Sequence, residues 1–86
     1  MKDVLMMVME GCPHCRRAEQ LLEELAAQNP AYRSVRIRRV DENQEKELAD
    51  SLDYYYVPTF FVDGKKRMEG VPTREAVENV LREALK

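Results

Sequence analysis

Cys12, Pro13, His14 and Cys15 bring together the only two cysteines and the only histidine of an 86-residue chain. Two thiols separated by two residues can exchange electrons with a disulfide, or can hold a soft metal ion. The choice between these depends on what carries them. Val4 to Met9 is a short apolar run, and beyond the motif Ala18, Leu21, Leu22, Leu25 and Ala26 recur at helical spacing. The motif therefore falls where a buried strand gives way to a helix. Pro13 suits the first helical position, where its missing N–H would have no partner anyway. Cys12 then stands at the N-cap and Cys15 one turn inside. The unpaired N–H groups and the positive dipole end of the helix favour an anion at Cys12, and the thiolate is the species that attacks disulfides. Cys15 lies about 50° from the centre of the apolar stripe at ~100° per residue, which predicts partial burial and a role as the resolving thiol. His14 offers a donor, or a positive charge, beside the Cys12 sulfur. With Pro13 it is expected to tune the couple and make the disulfide more oxidising.

The rest of the composition is that of an ordinary globule, with 44% apolar and 35% charged residues. Eighty-six residues are expected to form a single domain over 1–86 around one modest core. A net charge of −2 gives no reason to expect nucleic acid or an anionic membrane as partner. Met1 to Met9 is too short for a signal peptide and lacks a small-residue cleavage site. No apolar run approaches the ~20 residues that a membrane span needs, so the expected compartment is the cytoplasm. In that compartment a Cys-x-x-Cys is catalytic or metal-binding rather than a structural staple, and a staple closing so short a loop would constrain the unfolded chain little.

Taken in order, Val4 to Met9 reads as a strand buried on both faces, with Met6, Met7 and Met9 as core filler. Glu10-Gly11 turns into a helix from Pro13 to Gln28, stopped near Asn29 by Pro30. Tyr32 to Val40 is the predicted second strand, whose Arg33, Arg36, Arg38 and Arg39 fit an edge strand guarded by charge. Asp41 is expected to cap a second helix, with Gln44 three residues on and Leu48, Ala49 and Leu52 as its apolar side. Of Tyr54, Tyr55 and Tyr56 at least one belongs to the core, though alternation does not say which. Val57-Pro58-Thr59 opens a third strand through Phe60-Phe61-Val62, Asp63-Gly64 is a hairpin turn, and Lys66 to Glu69 is a short fourth strand. Thr73 caps a last helix with Ala76, Val77, Val80, Leu81, Ala84 and Leu85 inward. The order β-α-β-α-β-β-α, with a right-handed parallel crossover first and an antiparallel hairpin last, predicts an α/β fold: one four-stranded mixed sheet with helices on both faces.

Cys12-Pro13-His14-Cys15 after the first strand, Val57-Pro58-Thr59 before the third, and the closing hairpin plus helix together span nearly the whole chain. In these features it resembles the thioredoxin superfamily, and in length its glutaredoxin-sized members. The resemblance implies a three-layer thioredoxin-like fold with a cis Val57–Pro58 bond. It also implies that Pro58 packs against the cysteine pair while the backbone before it, with Thr59 following, binds an extended substrate. The N–H and C=O of Val57 could then bind a peptide by strand addition. There are departures. Glu10-Gly11 stands where thioredoxins place a tryptophan, and Gly70-Val71-Pro72-Thr73-Arg74 lacks the acid with which glutaredoxins hold glutathione. The Cys-Pro-His-Cys pair itself resembles that of the periplasmic disulfide oxidases, which carry an inserted helical domain for which there is no room here.

The expected activity is thiol–disulfide oxidoreduction: Cys12 attacks, Cys15 resolves, Pro13 and His14 tune, and Val57, Pro58 and Thr59 hold substrate. No metal or organic prosthetic group is required, the redox group being the Cys12–Cys15 disulfide, with glutathione as a co-substrate in the glutaredoxin-like alternative. The expected partners of a monomeric protein are a disulfide-bearing protein and an external reductant, of the thioredoxin-reductase type or glutathione. The alternative from another class is a copper or zinc module using Cys12, Cys15 and His14. One chain does not supply zinc's usual four ligands.

Overall fold

The structure, a computed structural model, describes residues 1–86. Its elements are β1 (Val4–Val8), α1 (Pro13–Gln28), a 3₁₀ turn (Pro30–Ser34), β2 (Ile37–Asp41), α2 (Lys46–Asp50), β3 (Thr59–Val62), β4 (Lys65–Glu69) and α3 (Arg74–Leu85). The four strands form one sheet in the order β2-β1-β3-β4. β1 runs parallel to β2, with Val4 opposite Ile37, and antiparallel to β3, with Val4 opposite Val62. Because β1 has a neighbour on each side and a helix layer on each face, both of its faces are buried, which is why polar residues do not alternate through it.

The two layers divide the apolar side chains cleanly. Val4, Met6, Phe60 and Val62 point into the larger cluster, with Ala18, Leu21 and Leu25 of α1 and Val77, Val80 and Leu81 of α3. Met7, Val40 and Phe61 face the other way, where Leu48, Ala49, Leu52, Tyr54 and Val57 cover them. Successive strand residues thus feed opposite layers, the period-2 consequence of the pleat. Asp63 and Gly64 both take positive φ, 48° and 81°, the pairing that matches a tight hairpin turn to the twist of its strands.

Three expectations need correction. The second strand starts at Ile37 and not at Tyr32. Asn29 caps a 3₁₀ turn by accepting from the Ala31 N–H at 3.2 Å, with Pro30 at its first position. Tyr32 leaves that turn for the core, its hydroxyl donating to Glu78 Oε2 at 2.9 Å. The second helix starts at Lys46, with Glu45 at the N-cap position but making no side-chain capping bond, because Asp41 is still paired with Val8 in the sheet. The Asp41 carboxylate accepts from the Asn43 N–H at 2.8 Å, an Asx turn, which offers the backbone the same short acid as an N-cap does. Met9 lies past the end of β1 and is exposed. As expected, β2 is an edge strand. Two of its arginines are paired outward, Arg39 with Glu19 of α1 and Arg38 with Glu45.

Candidate active site

The end of β1 delivers the chain into the motif through Gly11, whose φ of +75° an L side chain rarely adopts. That turn puts Cys12 at the N-cap of α1 in extended backbone, with Pro13 in the first turn. Its sulfur occupies the place that a capping oxygen takes elsewhere: the Cys15 N–H donates to Cys12 Sγ at 3.1 Å. The Arg16 N–H donates to the Cys12 carbonyl at 3.1 Å, which closes the first helical turn. A sulfur so placed faces the N–H groups that a helix start leaves unpaired. Both cysteines are free thiols.

Cys12 and Cys15 are each only 6% exposed, so burial does not separate them; position on the helix does. Cys15 was expected to be partly buried and is closed off more fully, because it shares the inward face with Ala18 and Leu22. Burial pushes its thiol up to about 12. The Cys12 sulfur beside it and the charge of Glu42 act in the same direction, against a backbone bond from Met9. A group held so strongly protonated is suited to wait while its neighbour reacts.

Across from the motif, the Val57–Pro58 peptide bond is cis. The Cys12 thiol reaches the Val57 carbonyl, S to O 4.0 Å, across 45 residues of sequence. Pro58 and Thr59 are buried behind it, and Val57 is half-buried. The fold therefore brings Cys12, Cys15, Val57 and Pro58 together. Thr59 is fully buried, and its hydroxyl donates to the Tyr56 carbonyl, so it braces the segment. His14 lies at the surface, and the partners of the Cys12 sulfur are the Cys15 amide and the Val57 carbonyl. Of the three tyrosines, Tyr54 is the core residue, edge-on to Phe61 with ring centroids 6.2 Å apart. Tyr55 and Tyr56 stand 82% and 68% exposed, and Met9 and Val71 are the other large apolar side chains exposed beyond the N-terminus.

Two carboxylates near the site escaped the sequence reading. Glu42 follows β2, its N–H donating to the Val8 carbonyl at 3.0 Å, and Tyr54 donates its hydroxyl to Glu42 Oε1 at 2.7 Å. Glu69 closes β4, and its Oε2 accepts from the N–H groups of both Tyr55 and Tyr56. Glu42 falls in the expected helix start between Asp41 and Gln44 and Glu69 ends the expected fourth strand, and nothing local in the sequence sets either apart.

The model of the thioredoxin domain matches residues 2–82. The thioredoxin of Methanocaldococcus jannaschii is 32% identical over 74 residues, spanning 86% of this chain and 85% of that one. Among solved structures, the oxidised thioredoxin of Plasmodium falciparum superposes with a TM-score of 0.70 at 19% identity, covering 95% of this chain and 79% of its own. An oxidised thioredoxin of Arabidopsis thaliana gives 0.70 at 24% identity, covering 100% and 79%. The shared fold, the extent of the match and its identity over most of both chains agree: the chain belongs to the thioredoxin domain family.

Proposed function

We propose that this protein is a thiol–disulfide oxidoreductase acting on disulfide-bearing proteins. The observation that carries the reading is the Cys12 sulfur, seated at the N-cap on the Cys15 amide and opposite the Val57 carbonyl. Family membership supports the same chemistry. The Cys12 thiolate attacks one sulfur of the substrate disulfide, and the other leaves as a thiolate and takes up a proton. Cys15 then gives up its proton and attacks Cys12, which forms the Cys12–Cys15 disulfide and releases the second substrate thiol. The substrate gains two electrons and the pair loses two. An external dithiol reductase or glutathione resets it. Pro13 and His14 adjust the potential, and the Val57 backbone, with Pro58 and Thr59 behind it, holds an extended substrate segment.

The test is the equilibrium reduction potential of the Cys12/Cys15 couple in glutathione buffers, with adducts identified by mass. A reversible two-electron couple is expected. A value of about −270 mV places the protein with thioredoxin-like reductants, and about −200 to −230 mV with glutaredoxins. Accumulation of a glutathione adduct on Cys12 favours the glutathione-linked route. No reversible couple, with metal bound instead, defeats the proposal.

A further inference from the structure

Residues 51 to 58 cross from α2 to β3 without regular structure, yet the substrate-facing Val57 sits at their end. A loop of this kind orders on binding only at an entropic cost. Here the backbone of Tyr55, Tyr56 and Pro58 is tied down by Thr59, Glu69 and Gly70. Glu69, opposite Thr59 in the β3–β4 register, reaches along the sheet with one oxygen, Oε2. That oxygen accepts from the Tyr55 N–H and from the Tyr56 N–H, the latter at 2.9 Å. The other oxygen, Oε1, accepts from Lys66 Nζ at 2.8 Å. The Tyr56 carbonyl is taken by the Thr59 hydroxyl, and the Pro58 carbonyl by the Gly70 N–H at 2.9 Å. The next N–H, that of Val57, makes no bond within the chain, and its carbonyl lies 4.0 Å from Cys12 Sγ.

We propose that Glu69 is a positioning residue for substrate docking: by holding two consecutive N–H groups it sets the Val57 backbone in place before a substrate arrives. The role follows from geometry. A single carboxylate oxygen serves adjacent amides, so the N–H groups of Tyr55 and Tyr56 are turned toward Glu69 of β4, while their rings are left exposed. Charge-assisted bonds of this type are stronger than neutral ones, whereas the exposed ion pair with Lys66 alone would contribute little. The inference rests on the oxidoreductase reading and adds to it the group that shapes its docking strand.

The experiment compares wild type, Glu69→Ala, Glu69→Gln and Lys66→Ala with two oxidised probes. Insulin is a protein disulfide that can pair with the Val57 backbone, and DTNB is a small disulfide that needs only the thiol. Glu69→Ala is expected to raise KM for insulin about 10-fold, the scale of one or two lost hydrogen bonds. The kcat for insulin, the DTNB rate and the Cys12/Cys15 potential should stay within about twofold. Glu69→Gln keeps an oxygen able to accept both amides, and is expected to restore most of the loss. Lys66→Ala should lie near wild type. In the wild-type protein, amide exchange should show Tyr55 and Tyr56 protected and Val57 open. An unchanged KM in a folded Glu69→Ala protein overturns the inference, as does a DTNB rate that falls in step with insulin, or fast exchange at Tyr55 and Tyr56. If wild type reduces neither probe, the oxidoreductase reading fails first and the docking role falls with it.

Discussion

Cys15, the proposed resolving thiol, is the place where the structure makes its most quantitative demand. Cys15 is 6% exposed and its thiol is raised from 9.0 to about 12. At pH 7 that rise lowers its thiolate fraction about 1000-fold, each unit being a factor of 10. The remaining thiolate is more basic and hence more nucleophilic. With a Brønsted slope of 0.4–0.5 it regains about 15- to 30-fold, which leaves a net slowing of about 30- to 60-fold before steric exclusion. The assay is a timed reaction of the reduced protein with iodoacetamide, the modified cysteine being located by fragmenting the peptide that carries both. The same chain in urea supplies the rate of an ordinary thiol. Cys12 is expected to react first, and Cys15 at least about 30-fold more slowly than in urea. Because burial is the leading cause, Glu42→Gln should change the Cys15 rate far less than unfolding does. The sign for stability follows from the same shift. A raised thiol keeps its proton in the folded state, so its contribution is whole below pH 9 and is lost between 9 and about 12. Reduced wild type should therefore lose stability through that window relative to Cys15→Ser. A Cys15 that alkylates within threefold of its rate in urea, or ahead of Cys12, refutes the reasoning.

Other outcomes follow from single contacts. Tyr32→Phe removes the hydroxyl bonded to Glu78 but keeps the ring in the core, so it should cost about 0.5–1.5 kcal/mol in urea unfolding and leave thiol reactivity alone. Thr73→Ala removes the side-chain oxygen that accepts from the Ala76 N–H at the start of α3; a loss of about 1 kcal/mol is expected, and a Gly replacement should cost less relative to Thr. The Lys66 ammonium and the two tyrosine amides hold the Glu69 carboxyl down to about 2. Its depressed value means that its stabilisation is present above pH 4.5 and disappears as pH falls through about 2. The amide signals of Tyr55 and Tyr56 should therefore titrate with a midpoint near 2, and a midpoint at the ordinary carboxylate value would mean that the contact does not persist in solution.

Those contacts also show where the sequence is informative. Cys12, Pro13 and Cys15 declare their arrangement because an N-cap, a first-turn proline and a residue one turn on are related by the helix itself. The apolar run of β1 and the stripe of α1 are legible for the same reason: a regular element imposes its own period. Tyr32 was misread because a 3₁₀ turn followed by a strand leaves its apolar residues at spacings that mimic a longer strand. Asp41 was misread because an Asx turn and an N-cap begin with the same residue, and only the sheet pairing with Val8 decides between them. The pairing of Val57 with Cys12 came from family resemblance; no local rule relates residues 45 apart.

The two carboxylates that escaped that reading divide the site between them. Glu42 follows the edge strand and holds the Tyr54 hydroxyl, and its charge is the least of the causes that raise the Cys15 thiol, after burial and the Cys12 sulfur. Glu69 comes from the far strand of the sheet and acts on backbone, fixing the approach to Cys12. A polar residue in a polar run carries no mark of such a duty, since its target is chosen by how strands are ordered across the sheet. In the order β2-β1-β3-β4, the strand that delivers the thiols lies between the segments that supply these acids. One consequence distinguishes the two: charge removal at Glu42 should have only a small effect at Cys15, the same for small and large substrates, while removal of the Glu69 carboxylate should be felt only by substrates long enough to lie along Val57. A Glu42 variant that discriminates between insulin and DTNB, or a Glu69 variant that does not, would show that the two duties have been assigned to the wrong residues.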